Sequence, residues 1–154
     1  MKVFDDQANV IEVGEKSADF RIDGDRCLFD LKGSPLFFVF WKTLWGRCGQ
    51  EAPVIEQEIW QRFKAEGLKA FAIGVKESNE QATSWTGQHG LTYPVVADPQ
   101  GEIFRRFGAS SVPYHVVIDR DLRIALSTGE FEKDSLIGVL EKAMITRGGK
   151  RNDL

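Results

Sequence analysis

Cysteine is scarce in this chain: Cys27 and Cys48 are the only two in 154 residues. Two thiols do not make a disulfide scaffold. With His89 and His115 as the only histidines, no Cys/His cluster has the spacing of a zinc site, so no metal is expected. Long apolar runs are also lacking. The longest, "PLFFVFW" at 35–41, is far too short to cross a bilayer. Basic charge is not in excess: the formal net charge is -3, with both signs interspersed, which argues against a nucleic-acid surface. The N-terminal "MKVFDDQANV" is acidic and lacks the apolar core of a signal peptide. The expectation is a cytoplasmic protein, or a periplasmic one if a leader has been removed.

The chain has enough apolar residues, 42%, for one domain with its own core over 1–154. Two short runs around Asp23-Gly24, within 17–33, read as a hairpin. "PLFFVFW", continuous and aromatic, reads as a strand buried on both faces. From Gly46 to Glu66 the pattern is helical, with Ile55, Ile59 and Phe63 at four-residue spacing and Gly67 as a C-terminal cap. A second buried strand follows at 68–75. Next come a helix over 78–90 capped by Ser78 or Asn79, a short strand in "YPVVAD" and a short helix in "GEIFRRFG". "YHVVID" and "RIALSTG" alternate around a turn as an antiparallel hairpin, and "EKDSLIGVLEKAM" closes the chain as an amphipathic helix. The tail, 146–154, is expected to be mobile. This order predicts an α/β fold with a parallel pair joined by a crossover helix and a sheet extended by the hairpin.

The order of these elements, the "SADF" entry, "FFVFW" before the helix, "YPVVADPQGEIFRRFG" and "VPYHVVIDRDLRI" resemble the redoxin group of thioredoxin-fold proteins. That group includes thiol–disulfide oxidoreductases and the alkyl hydroperoxide reductase or thiol-specific antioxidant enzymes. The resemblance covers roughly residues 14 to 145. It implies a thioredoxin-like fold: a central mixed sheet flanked by helices, here with an N-terminal β-hairpin extension.

In the disulfide-exchanging members the pattern resembles F-W-x-T-W-C-x-x-C-x-x-E-x-P. Phe40, Trp41, Thr43, Cys48, Glu51 and Pro53 fit it in register. Leu44 replaces the tryptophan, and Trp45 replaces the first, attacking cysteine. In the peroxide-reducing members the pattern resembles T-x-x-C-x-x-E, with one reactive cysteine; Cys48 and Glu51 match, and Trp45 stands where the threonine would be. Cys48 is thus the candidate catalytic thiol. A helix start and neighbouring Arg47 both favour a thiolate and predict a depressed pKa; the bland alternative is a buried, inert thiol. Glu51 reads either as a buried carboxylate tuning the thiol or as an exposed first-turn glutamate complementing the dipole. The resemblance makes Val112-Pro113 a cis pair facing the helix start, with Val112 offering its backbone to a partner. It also implies an arginine near the thiol in peroxide reductases, for which Arg120 or Arg123 could be proposed. Pro53 should kink the helix. Cys27 reads as a small apolar residue in a strand, His89 as a loop residue and His115 as a strand surface residue. Trp41, Trp60 and Trp85 read as core.

Two classes of function follow. One is a redox enzyme using Cys48 alone to reduce a peroxide or a mixed disulfide, regenerated by an external thiol, without a cofactor. Its partners would be a thiol- or disulfide-bearing protein or a peroxide, with no nucleic acid and no membrane. The other is a module that keeps the docking groove and does no chemistry. Cys and Trp codons differ by one base, so a variant of an active C-G-R-C parent is a third reading.

Overall fold

The computed structural model describes residues 2–4, 10–14, 16–17, 19–109, 111–147 and 150–151. Near the N-terminus β1 (Lys2–Phe4) pairs antiparallel with β2 (Val10–Glu12), a ladder that the sequence reading did not anticipate. The expected hairpin follows as β3 (Arg21–Asp23) and β4 (Arg26–Cys27). Its turn is closed by an Arg26–Asp23 ion pair at 2.9 Å, and Gly24 supplies the left-handed φ of 43° that the turn needs. Leu28–Leu31 then turns as a 3-10 helix instead of continuing a strand.

The aromatic run is β5 (Leu36–Trp41), buried at every position. Such a strand needs cover on both faces. The helical stretch begins as α1 (Gly46–Val54) and runs on through a π-helical segment, Ile55–Trp60, then α2 (Gln61–Phe63) and a 3-10 turn, Lys64–Glu66. Pro53 lacks the N–H that would close one helical bond, and the wider π-helical segment starts two residues later. Gly67, at φ 103°, ends the helix in the left-handed conformation its sequence position suggested. Next come β6 (Lys69–Val75), α3 (Asn79–His89), β7 (Val95–Asp98), α4 (Glu102–Arg106), β8 (Tyr114–Ile118), β9 (Ile124–Thr128) and α5 (Lys133–Ile145). Ser78 caps α3, and its exchange with Gln81 forms a capping box. In the tail β10 (Thr146–Arg147) pairs with β11 (Lys150–Arg151), while residues 148–149 and 152–154 lie outside the described ones.

The sheet is ordered β7-β6-β5-β8-β9, with β5, β6 and β7 parallel and β8 and β9 antiparallel to them. Strand alternation divides the β5 side chains between two layers. Phe38 and Phe40 meet Phe20, Phe71, Phe104, Phe107 and Tyr114 on one face. Val39 and Trp41 line the other with Cys48, Ala52 and Ile55 of the long helix and Trp85 of α3. Trp41 and Trp85 stack at 4.3 Å. Both are core, as expected, whereas Trp60 is half-buried. Among the described residues no helix is long and apolar enough to cross a membrane.

Candidate functional site

The site end of the sheet follows from register. Phe40 lies opposite Tyr114, so Trp41, the last residue of β5, and Pro113, just before β8, lie at the same end of the sheet. The loop from Trp41 into α1 and the turn before β8 therefore share that end. The Val112–Pro113 bond is cis, and both residues are buried. The Thr43 hydroxyl donates to the buried Glu77 carboxylate, tying the loop before α1 to the end of β6. Trp45 is the N-cap residue, in extended conformation, and its carbonyl accepts the Cys48 N–H at 3.0 Å. Leu44 and Trp45 project outward, 91% and 52% exposed.

Cys48 lies in the first turn of α1, but on its inner side, 3% exposed. With Val39, Trp41, Ala52, Trp85 and Tyr93 it borders a void of about 10 Å³, about the space of a single water. Burial pushes the thiol above its ordinary range. Backbone hydrogen bonding from Lys42 opposes this, the nearby Glu51 charge adds to it, and Arg47 opposes it more weakly. The expectation of a depressed pKa is thus overturned: the backbone N–H groups at the helix start and Arg47 act in the expected direction, and desolvation outweighs them.

Glu51 is the buried carboxylate, not the exposed one. Its Oε1 lies 2.7 Å from Nε2 of His115, with the two side chains 8% and 1% exposed. His115 is not on a surface. Val39 is its partner in β5, which puts its ring on the α1 face of a strand flanked by β5 and β9. Phe37 and Phe131 cover the ring at 6.4 and 5.3 Å, and its Nδ1 faces the Thr128 carbonyl at 3.2 Å. That carbonyl can only accept, so Nδ1 carries a proton, and a second proton joins Nε2 to Oε1. Arg47, Gln50, Glu51, Val54 and Phe131 border an open groove above this pair.

Other residues fall outside the site. Arg120 donates to the carbonyls of Gly33, Glu66 and Met144, and Arg123 to that of Gly14. Both follow β8, whose Ile118 pairs with Leu36 at the start of β5, so they sit at the opposite end of the sheet from Cys48. Neither is the cation near the thiol. Cys27 is a half-buried free thiol, next to Arg26, which lies over Phe71 on the other face of the sheet. His89 is the last residue of α3, not a loop residue; it packs edge-on against Trp85, and a side chain at Gly49 would meet it at 3.4 Å. Burial pushes its imidazole pKa down. No group of three or more His, Cys, Asp or Glu among the described residues could hold a metal ion.

Residues 13–127 match the family model of AhpC/TSA proteins. The thiol-disulfide oxidoreductase ResA of Bacillus anthracis is 28% identical over 137 residues, covering 86% of this chain and 79% of its own. ResA of Geobacillus thermodenitrificans is 25% identical over 140 residues, with 88% and 80% covered. Among solved structures, a candidate thiol:disulfide interchange protein DsbE from Chlorobium tepidum superposes with a TM-score of 0.77 at 25% identity, covering 87% of this chain and 99% of that one. A candidate protein disulfide isomerase from Bacteroides thetaiotaomicron gives 0.75 at 24%, covering 92% and 91%. The fold is thioredoxin-like, with the mixed sheet, flanking helices and small N-terminal sheet described above.

Proposed function

The chain belongs to the AhpC/TSA family, and on that premise we propose that it is a thiol-dependent redox protein of the thiol–disulfide oxidoreductase type, working through the single thiol of Cys48. The observation that carries the reading is the position of Cys48: the first turn of α1, directly after β5, one helical turn before the buried Glu51. Val112 and Pro113, at the same end of the sheet, are the docking edge for the partner. In the reaction Cys48 Sγ bonds to one sulfur of a docked disulfide. The partner's S–S bond breaks, and its departing sulfur takes the electron pair and the thiol's proton. An external thiol then attacks the partner's sulfur in the mixed disulfide: a new disulfide forms between those two, the bond to Cys48 breaks, and Cys48 leaves with the electron pair and takes up the proton the external thiol releases.

A disulfide is favoured over a peroxide. Either attack needs the thiolate, which burial opposes, but the related peroxide-reducing enzymes also place an arginine beside it, and here Arg120 and Arg123 are at the far end of the sheet. A second reading has its own observation: the exposed Leu44 and Trp45 beside a buried thiol suit a module that binds a partner and does no chemistry.

Mixed-disulfide formation decides between them. Native protein is incubated with an aromatic disulfide, and the product is weighed intact, with Cys48→Ser identifying the site. One adduct on Cys48, forming faster as pH rises above the ~8.5 of an ordinary thiol, is the expected result. An adduct only after denaturation would leave the binding module as the function.

A further inference from the structure

We infer that His115 is a positioning residue for Cys48: it holds Glu51 in a buried pair and cancels, through the shared proton, the carboxylate charge that faces the thiol. This rests on the single-thiol reading above. The geometry is direct. Glu51 is one turn after Cys48 on α1, and its Oε1 is hydrogen-bonded to Nε2 of His115 at 2.7 Å. With Nδ1 donating to Thr128 and a proton between Nε2 and Oε1, the pair carries two protons and no net charge, wherever the shared proton sits. An uncancelled carboxylate there would oppose formation of the thiolate.

A buried ionisable pair is poor evidence of a stabilising role, because desolvation offsets most of its attraction. Its position beside the single buried thiol at this end of the sheet is better explained by tuning. The other groups around the three residues do not perform this task. Arg47, on the exposed side of α1, favours the thiolate only weakly. Across the void Tyr93 is neutral, its hydroxyl pushed above its usual range by burial. His89 of α3 packs by Gly49, its pKa pushed down by burial. Around the imidazole of His115 stand the rings of Phe37 and Phe131 and the Thr128 carbonyl.

The test is a spectroscopic titration of the Cys48 thiolate near 240 nm in the folded protein, which does not require the thiol to be accessible. The same variant carrying Cys48→Ser is subtracted to remove tyrosine and Cys27. Glu51→Gln removes the carboxylate and the shared proton together and keeps a donor for Nε2, so the pair stays uncharged and the titration should stay where it is in wild type. His115→Gln keeps a donor for Glu51 but removes the cancelling proton, so it should move to higher pH, by about half a pH unit or more, as one nearby charge produces. A merely structural pair predicts something else: either substitution would loosen the site, let water reach the thiol and move both titrations down. A shift in Glu51→Gln, or no upward shift in His115→Gln, overturns the inference. If His115→Gln does not fold, a shift in Glu51→Gln alone overturns it. Failure of the single-thiol reading is a separate result, the absence of a native mixed disulfide.

Discussion

Restoring the missing thiol asks how much of a dithiol enzyme the groove retains. Trp45→Cys creates C-G-R-C at the start of α1, with the new thiol at the N-cap and Cys48 three residues on. Residues so spaced on a helix are neighbours, with Cβ atoms ~5–6 Å apart, so a small adjustment brings the sulfurs together. The N-cap thiol would be the exposed, attacking one, and Cys48 the buried, resolving one. The structural cost follows from exposure. A fully buried tryptophan hides roughly 200 Å². At 52% exposed, Trp45 hides about half of that. At ~25 cal/mol per Å² the lost burial is at most about 2.5 kcal/mol, and less because cysteine retains some contact. That is below the ~3–5 kcal/mol of a core aromatic truncation, so the variant should fold with its Tm lower by only several degrees. The assay is reduction of insulin by dithiothreitol, followed by turbidity. Wild-type protein should stay at background, because an indole forms no disulfide. Trp45→Cys should accelerate the reaction, and adding Cys48→Ser should remove most of the gain. A folded Trp45→Cys protein that does no better than wild type refutes the reasoning: the groove would then lack more than one sulfur.

Three further outcomes are expected. Gly74→Ala should cost ~1–3 kcal/mol by overpacking, read as a lower urea midpoint: its Cβ would meet Trp41 Cζ2 at 2.7 Å, and Trp41 is pinned against Trp85. Burial alone would push the Glu56 carboxyl up, but hydrogen bonds from Thr92 and Gln61 outweigh it and hold it below its ordinary range. Its contribution is therefore present above the ~4.3 of a free glutamate and lost as pH falls through the depressed folded value. Glu56→Gln should cost ~1–3 kcal/mol at pH 7, and the difference from wild type in urea unfolding should narrow in acid. Cys48 shifts the other way, so the stability linked to its proton is full below ~8.5 and lost as pH rises through the raised folded value. Cys48→Ser should remove that alkaline slope, and an unchanged slope would show that the thiol ionises freely in the folded state.

Much of the fold is legible because local and global signals agree. The unbroken aromatic run at 36–41 has no polar face to give to solvent, and it is the central strand. Ser78 with Gln81, and Gly67, mark helix ends by their own chemistry. The β1–β2 ladder was not readable: its strands are three residues each, too short to show an alternation. The width of the helix at Ile55–Trp60 was not readable either, since no residue there demands a fifth-residue bond.

The site was harder for a different reason. Helix-start rules describe the electrostatics of a position and not the side of the helix it occupies. A second signal was present for Cys48. The buried stripe of Ile55, Ile59 and Phe63, carried back by three and by seven residues, passes through Ala52 and Cys48, and all five are buried. Periodicity therefore set the desolvation of the thiol, and desolvation exceeded the backbone hydrogen bonds at the helix start and Arg47. No comparable signal existed for His115. Its surroundings depend on which strands flank β8 and on the register that sets it opposite Val39, both long-range facts. The same geometry bears on what the chain has kept. A resolving thiol is needed only after a neighbour has attacked, so it can stay buried and protonated until then. Cys48 has those properties, while the N-cap position before it remains at the surface, occupied by an indole. The burial that makes Cys48 slow as a first attacker is what a second thiol at residue 45 would exploit.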